Sequence, residues 1–178
     1  MHRLVTRALR AIVRPTVLRL FRVHATYTTD AIDALARGRV IVCANHVSLL
    51  DGVLIALVSP SPLVFGVDPD FSRRSPIAMR GMATLAWMGF GRVVPIDARS
   101  PFGIRALAKA LAAGESVMLF PEGRITPTGA RLVNQPGATW LCNRTGARIV
   151  WASINGAERS RLFAKTGRHL WPRITIRL

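Results

Sequence analysis

His46 and Asp51 stand five residues apart in Asn45-His46-Val47-Ser48-Leu49-Leu50-Asp51, and their side chains are those of a general base and the acid that orients it. On one continuous helix five residues advance about 500°, so the two would lie roughly 140° apart and could not readily meet. The chain must therefore bend between them. The apolar run Val40-Ile41-Val42-Cys43-Ala44 just before reads as a buried strand, and Asp51 then opens a helix, which leaves His46 on the loop at the strand's carboxyl end. Open α/β sheets place their active sites at such ends.

A second segment carries chemistry. In Met118-Leu119-Phe120-Pro121-Glu122-Gly123-Arg124-Ile125-Thr126 a strand-like run enters a Pro-Glu-Gly-Arg turn, again at the carboxyl edge expected of a sheet. Arg124 offers a bidentate donor for phosphate or carboxylate, and Gly123 lets backbone approach a ligand closely. Glu122 could position a substrate hydroxyl or lock Arg124. Taken alone, this segment reads as an ordinary β-turn with an internal ion pair.

The elements that must hold these residues follow from pattern. Strands are expected at 39–44, 63–67, 92–96, 116–120, 148–154 and 173–178, each short and bounded by Gly, Pro or polar residues. Helices are expected between them at 51–58, 76–88, 101–113 and 136–145, three of them opened by proline at a position that helices accept. This alternation predicts an α/β fold with a largely buried, mostly parallel or mixed sheet flanked by helices. At the amino end, Arg3, Arg7, Arg10 and Arg14 fall within an arc of about 60° on a helix, with Val5, Leu9, Ile12 and Val13 on the other side. That is the pattern of a helix lying on a membrane with arginines on headgroups, or of an amphipathic helix docked on a core, and Pro15 should end or kink it. Residues 1–34 are accordingly read as a membrane-association segment and 35–178 as the enzyme domain.

Composition bounds the classes. A chain of 178 residues can remove about 70% of its unfolded surface from water without staples. Two cysteines, Cys43 and Cys142, give no metal spacing and no disulfide framework, and they suit a reducing compartment. No secretory signal and no uncharged run of the roughly 20 residues needed to span a bilayer are found, so a cytoplasmic, peripheral or monotopic protein is expected. The 25 basic against 9 acidic residues, a net charge of +16, call for an anionic partner: nucleic acid or anionic lipid. Low aromatic content and the lack of a helix-turn-helix, zinc-finger or RNP pattern disfavour nucleic acid.

Taken together the two segments resemble a known family. Asn45-His46 through Asp51 is similar to the His-x4-Asp box of the glycerolipid acyltransferases, and Phe120-Pro121-Glu122-Gly123-Arg124 to their Pro-Glu-Gly box, in the same order and about 70 residues apart. The wording Pro-Glu-Gly-Arg-Ile-Thr with Thr128-Gly129 most resembles the acyltransferase domain of bifunctional 2-acylglycerophosphoethanolamine acyltransferase/acyl-carrier-protein synthetase proteins. The segments 92–97 and 154–158 fall where the family has its second, acceptor-binding block and its fourth. Two residues depart from the common pattern: Arg124 replaces the usual threonine, as in the phosphatidylethanolamine-related branch, and Trp151 replaces the usual proline of the fourth block.

The resemblance implies a single-domain glycerolipid-acyltransferase-like fold and an acyl transfer from an acyl thioester, carried by coenzyme A or acyl carrier protein, to the free hydroxyl of a lysophospholipid or glycerol-phosphate derivative. His46 would be the base, oriented by Asp51. Arg124, and less directly Arg92, would hold the acceptor phosphate with Gly123, and Glu122 its glycerol portion. No cofactor, metal or covalent enzyme intermediate is implied, and backbone amides near His46 or Gly123 would hold the oxyanion. The competing readings are a basic nucleic-acid-binding module and a lysolipid hydrolase using the same His/Asp site.

Overall fold

The structure is a computed structural model that describes residues 2–68, 76–96 and 101–178; for residues 2–7, 77, 78 and 101 it describes backbone only. Seven strands form one sheet, β1 (Val23–Thr26), β2 (Val40–Ala44), β3 (Leu63–Val67), β4 (Gly91–Pro95), β5 (Ser116–Leu119), β6 (Arg148–Asn155) and β7 (Ile174–Arg177), in the order β1-β7-β6-β2-β5-β3-β4. All neighbours pair in parallel except β6 and β7. Among the described residues six α-helices accompany them: α1 (His2–Leu20), α2 (Thr29–Arg37), α3 (Asp51–Val58), α4 (Pro76–Trp87), α5 (Pro101–Ala112) and α6 (Gly137–Thr145). This is the mixed α/β sheet that the alternating pattern predicts.

The strands read as continuous apolar runs because both faces are covered. On β2, Val40, Val42 and Ala44 join the core under α1 to α4, while Ile41 and Cys43 join a second core under α5 and α6. Burial pushes the Cys43 thiol up to about 12, with the neighbouring Cys142 adding to the shift.

Three expectations differ from the structure. The stretch around Thr26 to Asp33, where the pattern predicts no strand or helix, holds the end of the edge strand β1 and the start of α2, which is capped by the Thr28 hydroxyl on the Ala31 N–H. The proposed boundary at residue 34 thus falls inside a helix whose Ala31, Ala34 and Leu35 are core residues, so β1 and α2 belong to the enzyme domain. Helix α1 does not stop at Pro15 but runs through it to Leu20, held by Val13, Val17 and Leu18 against the core. The third difference concerns the arginine stripe. Arg10 Nε donates to the Met88 carbonyl at 2.8 Å and its guanidinium lies over Phe90, while Arg14 Nη2 donates to the Val58 carbonyl at 3.0 Å. Val58 ends α3 and Met88 follows α4, so both guanidiniums cap the electronegative carboxyl ends of helices instead of meeting headgroups. The side chains of Arg3 and Arg7, from the same stripe, lie outside the described residues.

The Cys43 thiol is therefore expected to stay protonated and shielded. At about pH 8, iodoacetamide should spare Cys43 in the native protein and label it after denaturation, as read by peptide mass spectrometry; native labelling would place it outside the core.

Candidate active site

The helix α3 begins at Asp51, whose carboxylate is fully buried. A buried carboxylate must be surrounded by donors, and the preceding loop supplies them by wrapping around it. Oδ2 accepts from the Val47 N–H at 2.6 Å, the Ser48 N–H at 2.8 Å and His46 Nδ1 at 2.9 Å, while Oδ1 accepts from the Ser48 hydroxyl at 2.6 Å. The bend inferred from the five-residue spacing is this wrap. It leaves the His46 side chain 12% exposed, with its ring stacked on Phe120 at 4.0 Å between centroids and 14° between planes. With Nδ1 held by a carboxylate, the tautomer carrying a proton on Nδ1 is favoured and Nε2 is the basic nitrogen.

Phe120 leads into the second segment. A turn closes from the Gly123 N–H to the Phe120 carbonyl at 3.0 Å, with proline second and Gly123 in the left-handed region at φ 69. The two segments are joined directly, because the Thr126 N–H donates to the His46 carbonyl at 2.9 Å. Arg124 is exposed beside them and makes no hydrogen bond or ion pair among the described residues. Glu122 does not lock it. The Glu122 carboxylate is buried and accepts from the Leu132 N–H at 3.2 Å, so it pins the returning arm of the loop that carries Arg124.

Arg92 is not part of this arrangement. It lies at the amino end of β4 and pairs through Nε and Nη2 with Glu115 at 3.1 and 2.6 Å, which holds its guanidinium above its ordinary pKa. Glu115 precedes β5, so this pair sits at the edge of the parallel sheet opposite to His46. Residue 97, from the same segment, lies outside the described residues. The amides expected to hold an oxyanion near His46 and Gly123 are engaged internally at Val47, Ser48 and Gly123.

Sequence reasoning missed several supports. Ser48 has no role assigned in the sequence reading, yet its hydroxyl holds Asp51 Oδ1 and accepts the Leu50 N–H at 3.2 Å; the signal was a serine three residues before an acidic helix start. Asn45 extends the β2–β6 ladder with its side chain, donating to the Ile154 carbonyl at 2.8 Å and accepting its N–H at 2.7 Å. Beside it lies a cavity of about 250 Å³ lined by Thr128, Arg131, Asn155 and Glu158 among others. No group of three or more His, Cys, Asp or Glu side chains placed to hold a metal occurs among the described residues.

A histidine held by a buried acid, with a basic turn hydrogen-bonded to its backbone, is an arrangement that can serve as a general base. The sequence model of the acyltransferase family matches residues 22–155, three quarters of the chain, and the protein belongs to that family. The fold is similar to that of the 1-acyl-sn-glycerophosphate (LPA) acyltransferase PlsC from Thermotoga maritima, with a TM-score of 0.64 and 19% sequence identity over 99% of this chain and 68% of that one. At that identity the likeness is one of fold.

Removing the Ser48 hydroxyl leaves the buried carboxylate one donor short, at a cost of about 1.5–3 kcal/mol. Ser48→Ala is expected to lower the thermal midpoint and the turnover rate together, with Ser48→Thr restoring both. An unchanged midpoint in Ser48→Ala would remove the hydroxyl from the support of Asp51.

Proposed function

We propose that this acyltransferase moves a fatty acyl group from an acyl thioester, on coenzyme A or acyl carrier protein, to the free hydroxyl of a lysophospholipid or glycerol-phosphate derivative in phospholipid biosynthesis, at the cytoplasmic face of a membrane. The observation that carries this reading is the His46–Asp51 pair at 2.9 Å, tied through the His46 carbonyl to the Pro-Glu-Gly-Arg loop. Membership of the acyltransferase family and the PlsC-like fold support it.

The chemistry follows from the geometry. The acceptor hydroxyl gives its proton to His46 Nε2 as its oxygen attacks the thioester carbonyl carbon. Asp51 stabilises the resulting imidazolium through Nδ1, the part an aspartate plays in a serine triad, but here the nucleophile belongs to the substrate. The tetrahedral oxyanion then collapses, the carbon–sulfur bond breaks, and the departing thiolate takes up the proton from Nε2. Phe120 fixes the plane of the imidazole and keeps water from one face of it. Arg124 binds the acceptor's phosphate, Gly123 permits its close approach, and Glu122 serves by holding the loop in place.

No helix among the described residues is long and apolar enough to cross a membrane.

With lysophospholipid and a labelled acyl thioester, the purified protein should form diacyl lipid, identified by mass spectrometry over a panel of acceptors. His46→Ala should reduce the rate by about 10² to 10⁴, and full activity in that variant would sink the assignment of the base. Arg124→Ala is expected to raise KM for phosphate-bearing acceptors about ten- to a hundredfold with kcat little changed; an equal effect on an acceptor without phosphate would overturn its role. Release of free fatty acid without acceptor would mark a hydrolase instead.

A further inference from the structure

The end of α1 and the segment between β6 and β7 are remote in sequence but meet at the edge of the sheet that carries His46. Phe21 makes edge-to-face contacts with Phe163 at 5.9 Å and Trp171 at 5.3 Å between ring centroids, and Arg22 Nη1 donates to the Trp171 carbonyl at 3.3 Å. The segment folds back on itself through the Arg161 N–H to the His169 carbonyl at 2.8 Å and the His169 N–H to the Arg159 carbonyl at 2.9 Å. Around this aromatic cluster Leu20, Leu162, Leu170 and Trp171 are left 57%, 52%, 55% and 43% exposed. Single exposed apolar residues are common, but four within or directly beside one half-buried aromatic cluster mark an interaction surface.

Charge identifies the partner. Within residues 156–173 the exposed bases Arg159, Arg161, Lys165, Arg168 and Arg173 face a single carboxylate, Glu158. Aliphatic side chains and a tryptophan ringed by guanidinium and ammonium groups suit a surface in which acyl chains lie just beneath phosphates. A second copy of the chain would bring the same bases against each other, and nucleic acid would leave the leucines without a partner.

We propose that this surface docks the protein on an anionic phospholipid bilayer. It is joined to both catalytic segments, since the Leu49 N–H donates to the Phe163 carbonyl at 2.8 Å and Lys165 Nζ to the Ile125 carbonyl at 3.3 Å. Docking there sets the mouth of the His46 site against the lipid headgroups. The inference rests on the proposed lipid substrate only for its choice of partner, and binding and transfer are measured separately.

The test is cosedimentation with vesicles of phosphatidylcholine alone or mixed with phosphatidylglycerol. Wild-type protein should bind the mixed vesicles, weaken with added salt and bind phosphatidylcholine poorly. The double variant L162E/L170E should partition about tenfold less or weaker still, while Trp140→Glu, on α6 in the opposite layer, should bind as wild type. Because both leucines are more than half exposed, circular dichroism and the thermal midpoint should not change, and transfer to a water-soluble short-chain acceptor should persist. As a check that leaves the Phe21 contact in place, Trp171→Phe should lose most of the fluorescence quenching produced by brominated acyl chains. Undiminished vesicle binding in a folded L162E/L170E, equal loss in Trp140→Glu, or full quenching in Trp171→Phe would overturn the proposal. So would a patch-dependent dimer or oligonucleotide complex in the absence of vesicle binding.

Discussion

A fully buried carboxylate, Asp51, organises the functional edge of this protein. Its two oxygens receive four donors, all from the three residues His46, Val47 and Ser48, so the loop conformation and the charge are mutually dependent. The first turn of α3 adds its own favourable field, because an anion at a helix amino end lies against the positive end of the dipole. What the wrap leaves over is used to hold neighbours. The Asn45 side chain holds β6, the His46 carbonyl holds the Thr126 amide, and the Leu49 amide holds the Phe163 carbonyl. One strand and two loops, all remote in sequence, are thereby hung from seven consecutive residues.

Strand order explains why those loops are within reach. β2 lies between β6 and β5, so the segments following all three strands converge at one edge. The chain leaves β2 into α3, which packs in one layer, and after β5 the next helix is α6 in the other layer. Adjacent strands whose connections depart to opposite faces leave a crevice between their carboxyl ends, and ligands bind in such crevices. His46 and Phe120 stack across it.

The parts legible in the sequence were those governed by local pattern. Val40–Ala44 and Leu63–Val67 are buried on both faces and read as uninterrupted apolar runs, and α3 is bounded by Asp51 and Ser59 as its residues suggest. Strand β1 was not legible, because four residues alternating between half-buried and exposed gain their identity from pairing with β7 at the far end of the chain. α2 could have been found, since Thr28 followed by Asp30 is an amino-terminal capping signal. The arginine stripe could not: that Arg10 and Arg14 point at helix carboxyl ends depends on where α3 and α4 finish in space. Arg92 was within reach, because a residue at the amino end of a parallel strand faces away from the carboxyl edge where the site must be.

The inward turn of Arg10 and Arg14 changes how the net charge of +16 should be understood. Helix α1 crosses the face of the sheet, about 28 Å long at 1.5 Å per residue, with these arginines near the amino edge of the strands. Its last turn lies at the other edge, since Phe21 and Arg22 lead directly into β1, which runs parallel to β7 and antiparallel to β6. The side of α1 that faces out carries Ala8, Ile12, Thr16 and Leu20, one row at intervals of four. That row ends at the aromatic cluster of Phe21, Phe163 and Trp171. The outward bases of residues 159–173 and the exposed Arg124 therefore flank the same edge as His46. Positive charge is used at one edge of the sheet to terminate helices and at the other to surround the mouth of the candidate site.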